Sequence, residues 1–291
     1  MRIVILSHAD YASSGFKLYQ ALYRHSENRV RYFAGKNVTP FKHSRGSEFG
    51  PETIMAIKWA DIIHLKGDWP YTFYEKEYGF RLDNKPLVQT VSGWMFRSRI
   101  FPMSDYKVCA VRTSWEPDLL FPEYDGVLTP YPIDSLSKDN VWRDSAPPIF
   151  THFPTNKVGK DTPFIKEVFK HLDAEIIIPR RRVTFKRAME MRMCSTIYFD
   201  QFGIGAYGNA AVEMMQYGIP VAAWISPQSL DQGMPPSPVI TAEKTVDAWV
   251  EVISKAMERL PELSVETKQF CDNHHSYQAV AKQWDKLYQS V

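Results

Sequence analysis

The chain has 291 residues, 44% of them hydrophobic and 23% charged, with a formal net charge of +2. That length suits two domains with separate cores, and the composition is that of an ordinary globular protein. So small a charge is no strong footprint for a polyanion, although it excludes neither acidic substrates nor nucleic acid.

Strands alternate with helices from the start. A buried strand is expected over 2–6 and a helix over 15–24, with Phe16, Leu18, Tyr19 and Leu22 on its apolar side. Strand-like segments follow at 30–34, 61–65 (after a helix over 54–59), 86–91, 107–111 and 126–128. Around 139–148 the sequence turns polar and reaches Pro147-Pro148, which places a domain boundary between 145 and 146. The second half restarts with strand 149–153, helix 163–172, strand 175–178, helix 183–194 and strand 196–199. An amphipathic helix is expected over 245–259, and helical spacing over 264–288 breaks near His274-His275. The pattern predicts an α/β chain of parallel, doubly wound sheets: a domain over 1–145, another over 146–265 and a last helical segment over 266–291.

Several function classes drop out. Cys109, Cys194 and Cys271 are odd in number and far apart, so they offer neither a disulfide framework nor metal-ligand spacing, and a reducing cytosol is expected. No run reaches about 18 apolar residues, and the first strand follows Met1 directly, so a cytoplasmic protein is expected. G-x-S-x-G, H-E-x-x-H, C-x-x-C and D-x-D are all absent, which removes the hydrolase, zinc and metal-bound-donor readings. No metal is expected. Aromatic residues make up 14% of the chain, with 8 Trp and 15 Tyr, enough to line a cleft for sugars or bases or simply to fill a core.

The most informative stretch is 196–224, TIYFDQFGIGAYGNAAVEMMQYGIPVAAW. It reads as strand, glycine turn (Gly203, Gly205, Gly208), short helix from an Asn209 cap, glycine stop at Gly218, and strand. A helix start behind such a turn offers free N–H groups to a phosphate. Glu213 is the lone charge in an apolar helix, where a sugar hydroxyl would suit it. The glycines spell the dinucleotide fingerprint, but the acid expected at the end of the next strand is missing, since none occurs before Asp231. A buried strand–helix unit with glycines for packing is a second reading.

A third reading is a resemblance. Gly203–Gly208, Glu213 and GIPVAA (218–223) resemble the donor-nucleotide motif of GT-B glycosyltransferases of the retaining, family-four-like kind. The resemblance implies two Rossmann-like domains whose parallel sheets face a central cleft, with the last helix crossing back to the first domain. It also implies a nucleoside-diphosphate-sugar donor as co-substrate, no separate cofactor, and Glu213 on the donor ribose. Gly205 stands where that family has a second glutamate, and Asp200-Gln201 precede the turn as in a "DQ" subgroup. Tyr207, Gly208 and Asn209 fall in the same donor segment. In the loop THFPTNKVGKDT (151–162), Asn156, Lys157 and Lys160 match the basic pattern that clamps the donor diphosphate and would stabilise its growing charge. Ser14-Gly15 are similar to the family's paired glycines before the first helix, which approach the donor diphosphate, so both are donor-binding candidates, and His8 and Asp10 in that loop are acceptor-side candidates. His64, Lys66 and Asp68 sit at a strand end, where α/β sheets gather ligand groups, and His64 and Asp68 are catalytic candidates beside Lys157 and Lys160. Ser92 and Trp94 follow the next strand on the same side.

The implied activity is sugar transfer to an acceptor hydroxyl, with retention and without a metal. A saccharide acceptor is favoured. The basic run 180–182, with Lys186, Arg187, Arg192, Arg97 and Arg99, leaves modified DNA open as an acceptor. A nucleotide-sugar epimerase or hydrolase, and a non-catalytic sugar-nucleotide-binding module, stay open beside the transferase.

Overall fold

A computed structural model of the chain describes residues 1–291 apart from 11–12, 36–46, 83, 93–96, 99, 107–108, 117–118, 121–125, 136–138 and 182. The chain forms two compact units, Met1–Pro132 with Tyr277–Val291, and Ile133–Ser276. The first change of unit therefore falls at 132/133, before the polar stretch that suggested 145/146. The return falls at 276/277 rather than at 265/266. The backbone explains the early change. Ile133 already bridges Ser276, its N–H donating to the carbonyl of His275 at 2.8 Å, and Val141 N–H donates to Tyr217 O at 3.1 Å.

The first unit holds β1 (Arg2–Ser7), β2 (Arg29–Ala34), β3 (Ser47–Glu48), β4 (Ile62–Lys66), β5 (Leu87–Thr90), β6 (Val111–Ser114) and β7 (Gly126–Leu128). They form one parallel sheet in the order β3-β2-β1-β4-β5-β6-β7. Ile3, Val4, Ile5 and Leu6 are 0% exposed, because β1 is central and both of its faces are covered. Alternation sends them to opposite layers. Val4 and Leu6 join Ile63, Leu65, Trp69 and Tyr74, whereas Ile3 and Ile5 join Leu18 and Leu22 of α1 (Ser14–His25). That second layer is closed by Val280, Trp284 and Tyr288 of the C-terminal helix Tyr277–Gln289, which packs along α1. The strand order reverses between β1 and β4, so their C-terminal ends diverge and leave the crevice where such sheets take ligands.

The second unit holds β8 (Ile149–His152), β9 (Glu175–Ile177), β10 (Ile197–Phe199) and β11 (Val221–Ala222), parallel in the order β11-β10-β8-β9. Phe150, Phe199, Phe202 and Trp249 centre its core, with Trp249 stacked on Phe202 at 3.9 Å. The helix expected over 245–259 is Val246–Met257, and the Thr245 hydroxyl caps it by accepting from Ala248 N–H at 3.3 Å. Among the described residues no helix is long and apolar enough to cross a membrane.

Candidate functional site

In the second unit, two loops at strand ends are built as one piece. After β8, the Asn156 side chain accepts from the N–H groups of Val158 (3.1 Å) and Gly159 (3.2 Å), which curls the loop tightly. Asn156 is thereby committed to shaping the loop. The second loop follows β10. A side chain on Gly203 would lie 2.3 Å from the carbonyl oxygen of Gly159, so only glycine lets the two loops touch. Phe202 N–H donates to Lys160 O at 3.2 Å and closes the seam.

Charge reinforces it. Lys160 turns inward and forms an ion pair with Asp200, which is 0% exposed. The other Asp200 oxygen accepts the Gly208 N–H at 2.6 Å, at the start of the helix Asn209–Met215. One carboxylate thus ties the basic loop to the helix that carries Glu213. Lys157 is exposed and has no ion-pair partner among the described residues. Below the seam, His152 gives one ring nitrogen to Phe199 O and the other to the Thr162 hydroxyl, each at 2.9 Å. Burial lowers its pKa to about 4, so the ring is neutral.

Several donor-side expectations change. Asn209 is the first helical residue, half-buried, and the cap is Gly208. Tyr207 is 0% exposed and hydrogen-bonded to His275 Nε2 at 2.9 Å, so it is core and faces no ligand. Gly205 has φ 87°, and its carbonyl accepts from Ser226 N–H (2.9 Å) and the Ser229 hydroxyl (2.5 Å). A Cβ there would lie 2.7 Å from Ser226 Oγ, so the place of the family's second glutamate is filled by serine. Glu213 is 7% exposed, and its partner is protein: Arg192 Nη1 donates to Glu213 Oε2 at 3.0 Å. Arg192 is itself 5% exposed, with its guanidinium near the rings of Phe153 and Phe185. By sequence Arg192 falls in with a surface basic cluster. The signal against that is helical: Phe185, Ala188, Met189 and Arg192 recur at i, i+3, i+4 and i+7, one face of one helix. Arg180 and Arg181 are exposed, and Arg182 lies outside the described residues.

In the first unit the candidates divide into supports and a cluster. Asp10 is 5% exposed and accepts from Gly15 N–H (2.7 Å), Phe16 N–H (2.9 Å) and the Tyr32 hydroxyl (2.8 Å). It holds the start of α1 by filling the orphan N–H groups of the first turn, so it is not positioned as a ligand contact. His8 packs against Trp69 and Phe73, with Nδ1 2.5 Å from the Tyr78 hydroxyl. His64 is not a strand-end residue. It lies inside β4, 0% exposed, with its ring nitrogens 2.7 Å from the hydroxyls of Tyr288 and Thr90. Burial drives its pKa well below the usual histidine value, and it stacks on Trp284 at 4.7 Å. A neutral ring with both nitrogens engaged fixes the C-terminal helix to the sheet; it is not an acid–base group. Asp68 is 5% exposed and accepts from Ser92 N–H at 2.8 Å, so these two candidates shape one strand-end corner. Trp94 lies outside the described residues. Ser14, Ser92 and Lys66 share a pocket. Among the described residues, no group of three His, Cys, Asp or Glu side chains is placed to hold a metal.

No family model matches the sequence, and no curated protein aligns with it significantly. Solved structures do match in fold. The catalytic domain of starch synthase IV from Arabidopsis thaliana, bound to ADP and acarbose, superposes with a TM-score of 0.64 at 11% identity over 99% of both chains. HepE from Anabaena, in complex with UDP and glucose, gives 0.61 at 10% identity over 100% of both. Sucrose-phosphate synthase from Thermosynechococcus elongatus gives 0.60 at 12% identity, over 99% of this chain and 98% of its own. The chain therefore has the GT-B glycosyltransferase fold, an α/β architecture of two Rossmann-like units with parallel sheets.

Proposed function

We propose that this protein is a glycosyltransferase that moves a sugar from a nucleoside-diphosphate sugar to an acceptor hydroxyl. The observation that carries the reading is the joined pair of loops after β8 and β10, locked by Lys160, Asp200 and Gly208. Such a joint holds the exposed Lys157 and the start of the helix Asn209–Met215 in fixed relation, as a diphosphate requires. Lys160 has its charge balanced by Asp200, so Lys157 is the lysine that meets the leaving phosphate. Glu213, steadied by Arg192, is assigned to the donor ribose.

In the reaction the bond between the anomeric carbon and the phosphate oxygen breaks, and the acceptor oxygen bonds that carbon. We assign retention, with the acceptor proton passing to the leaving phosphate, and assign no cofactor or metal to the step. A saccharide acceptor and a cytoplasmic setting complete the reading. UDP and ADP, seen in HepE and starch synthase IV, set the first panel.

The test is titration with UDP-, ADP-, GDP- and TDP-sugars, followed by assay of nucleotide release with and without saccharides. Release that needs a saccharide supports transfer. Release without one indicates a hydrolase or epimerase, tight binding without release a binding module, and absence of nucleotide binding overturns the donor site. Glycosylation of DNA in place of saccharide would move the acceptor assignment to nucleic acid.

A further inference from the structure

The sheet of the first unit has an open edge. Arg29 N–H donates to Met1 O at 2.8 Å and Gly35 N–H to Ser7 O at 2.7 Å, so the odd-numbered residues of β2 turn their backbone groups to β1. Alternation then turns those of Val30, Tyr32 and Ala34 outward. β3 meets only Phe33 and Ala34, so among the described residues Val30 and Tyr32 face no strand. Along this stretch runs a groove of about 430 Å³. One wall is aromatic: Tyr19 of α1 stacks beside Tyr32 with ring centroids 6.0 Å apart, and touches the 68% exposed Tyr23 at 5.6 Å. The other wall is the helix Pro51–Trp59, which contributes Glu52 and the 60% exposed Met55. Two open rungs of a ladder between two helix walls have the shape of a missing strand.

Charge decides which strand fits. Val30 and Tyr32 belong to the layer of α1, so Arg29 and Arg31 point with Phe33 to the opposite layer, where Arg31 lies over the Trp59 ring at 4.7 Å. Both arginines are exposed, and neither has an ion-pair partner among the described residues. Arg2, which also reaches the Trp59 ring, is committed to Asp61. A second copy related by a two-fold axis is a poor occupant. Pairing Val30 with Tyr32 of the copy sets Arg31 against Arg31, and pairing Val30 with Val30 sets Arg29 against Arg31, like charges directly opposite. Pairing Tyr32 with Tyr32 sends Val30 against Ala34, an edge already taken by β3. A strand with acids at alternate positions meets no such clash. Its carboxylates fall beside Arg29 and Arg31, and the residues between them fall against Tyr19 and Tyr32 and should be apolar. Glu52 in the wall weakens this preference without cancelling it, since two arginines stand against it, and Glu48 lies opposite Ala34, beyond this stretch.

We propose that this edge docks an extended segment of a partner protein, in which acidic residues alternate with apolar ones, as an added strand of the sheet. The test uses the full chain and a capped peptide, Thr-Val-Glu-Val-Glu-Val-Thr, beside its counterpart with Lys for Glu. Two further copies are N-methylated, one at the valines and one at the glutamates. Fluorescence anisotropy follows binding, and hydrogen exchange reads the amides of Val30 and Tyr32.

In the free protein both amides should exchange fast, unlike that of Arg31, which faces β1. The acidic peptide should slow both by about ten-fold or more at saturation. It should bind about ten-fold more tightly than the lysine peptide, the scale of two cross-strand charge pairs reversed. Methylation at the valines should abolish binding of an antiparallel strand, and methylation at the glutamates that of a parallel one; binding that survives both would overturn strand addition. Arg31→Glu should reverse the preference in favour of the lysine peptide, and Glu52→Lys should tighten the acidic one a few-fold. Both positions are exposed, so the fold is kept. Slow exchange of Val30 and Tyr32 in the free chain would show the edge already covered and overturn the site. Equal binding of the two peptides would overturn the acidic class. Binding of neither, binding of maltoheptaose in their place, or dimerisation through this edge in sedimentation equilibrium would overturn the peptide partner.

Discussion

Removing Arg192 should destabilise the second unit more than any single exposed-residue change, because it breaks a buried ion pair with the Glu213 carboxylate. The two side chains are 6% and 9% exposed and meet at 3.0 Å. At that separation the gross attraction is roughly 5–6 kcal/mol for an effective dielectric of about 20. Most of this offsets the cost of desolvating both charges, so the intact pair is worth little net. Breaking it is another matter: Arg192→Met should cost about 3–5 kcal/mol, the range for removing one partner of a buried ion pair. Arg192→Met combined with Glu213→Leu should recover most of the loss, because no charge is then buried. The measurement is hydrogen exchange of the slowest amides of β10 and of the helix Asn209–Met215, which reads this unit alone. A single variant costing under about 1 kcal/mol, or a double variant costing the sum of the singles, would refute the argument. The double variant also separates folding from binding, since it should fold and yet lose nucleotide affinity if Glu213 contacts the ribose.

Three further outcomes follow from the joined loops. Lys160→Met should destabilise by about 3–5 kcal/mol, because it strands the buried Asp200, whereas Lys157→Met should fall within about 0.5 kcal/mol and instead lower turnover; hydrogen exchange and single-turnover assays on both variants check this. Gly203→Ala should cost about 1–3 kcal/mol and speed exchange of the Lys160 and Phe202 amides, because its Cβ would meet Gly159 O at 2.3 Å, and unchanged exchange of both amides would refute the close approach. His152, with a folded pKa of about 4 against 6.5 unfolded, is neutral in the native state, so its contribution is intact above pH 6.5 and is lost as pH falls towards 4, reaching about 3 kcal/mol; the stability difference between wild type and His152→Asn should shrink over that window, and a constant difference would show that its titration is not linked to folding.

The parts of this molecule legible in the sequence are those specified by short-range rules. The run Arg2–Ser7 can only be a central strand, a helix is announced at Thr245, and Gly218 stops another whose start reads one residue late, at Asn209 for Gly208. What stayed hidden depends on distant partners. His64 looked like a strand-end ligand because β4 was expected to stop at 65. It continues to Lys66, which puts histidine in the interior and lysine at the tip. The engagement of His64 with Tyr288 is set by where the C-terminal helix returns, and no local pattern states that. Glu213 raised the right question, since a lone acid in an apolar helix needs a partner, but the partner came from the preceding helix. Gly205 was visible as a departure from the family pattern; only the position of Ser226 explains why a glutamate has no room there.

The two units handle charge in opposite ways, and this bears on what each can bind. In the second unit Lys160 is matched to Asp200 and Arg192 to Glu213, so neither this lysine nor this arginine is an uncommitted grip on phosphate. On the donor reading proposed above, recognition of a diphosphate would rest chiefly on Lys157 in a fixed loop, an arrangement that resists distortion and needs little net charge. In the first unit the balance is incomplete: Lys66 is buried without a close partner, while three acids hold its charge from a distance.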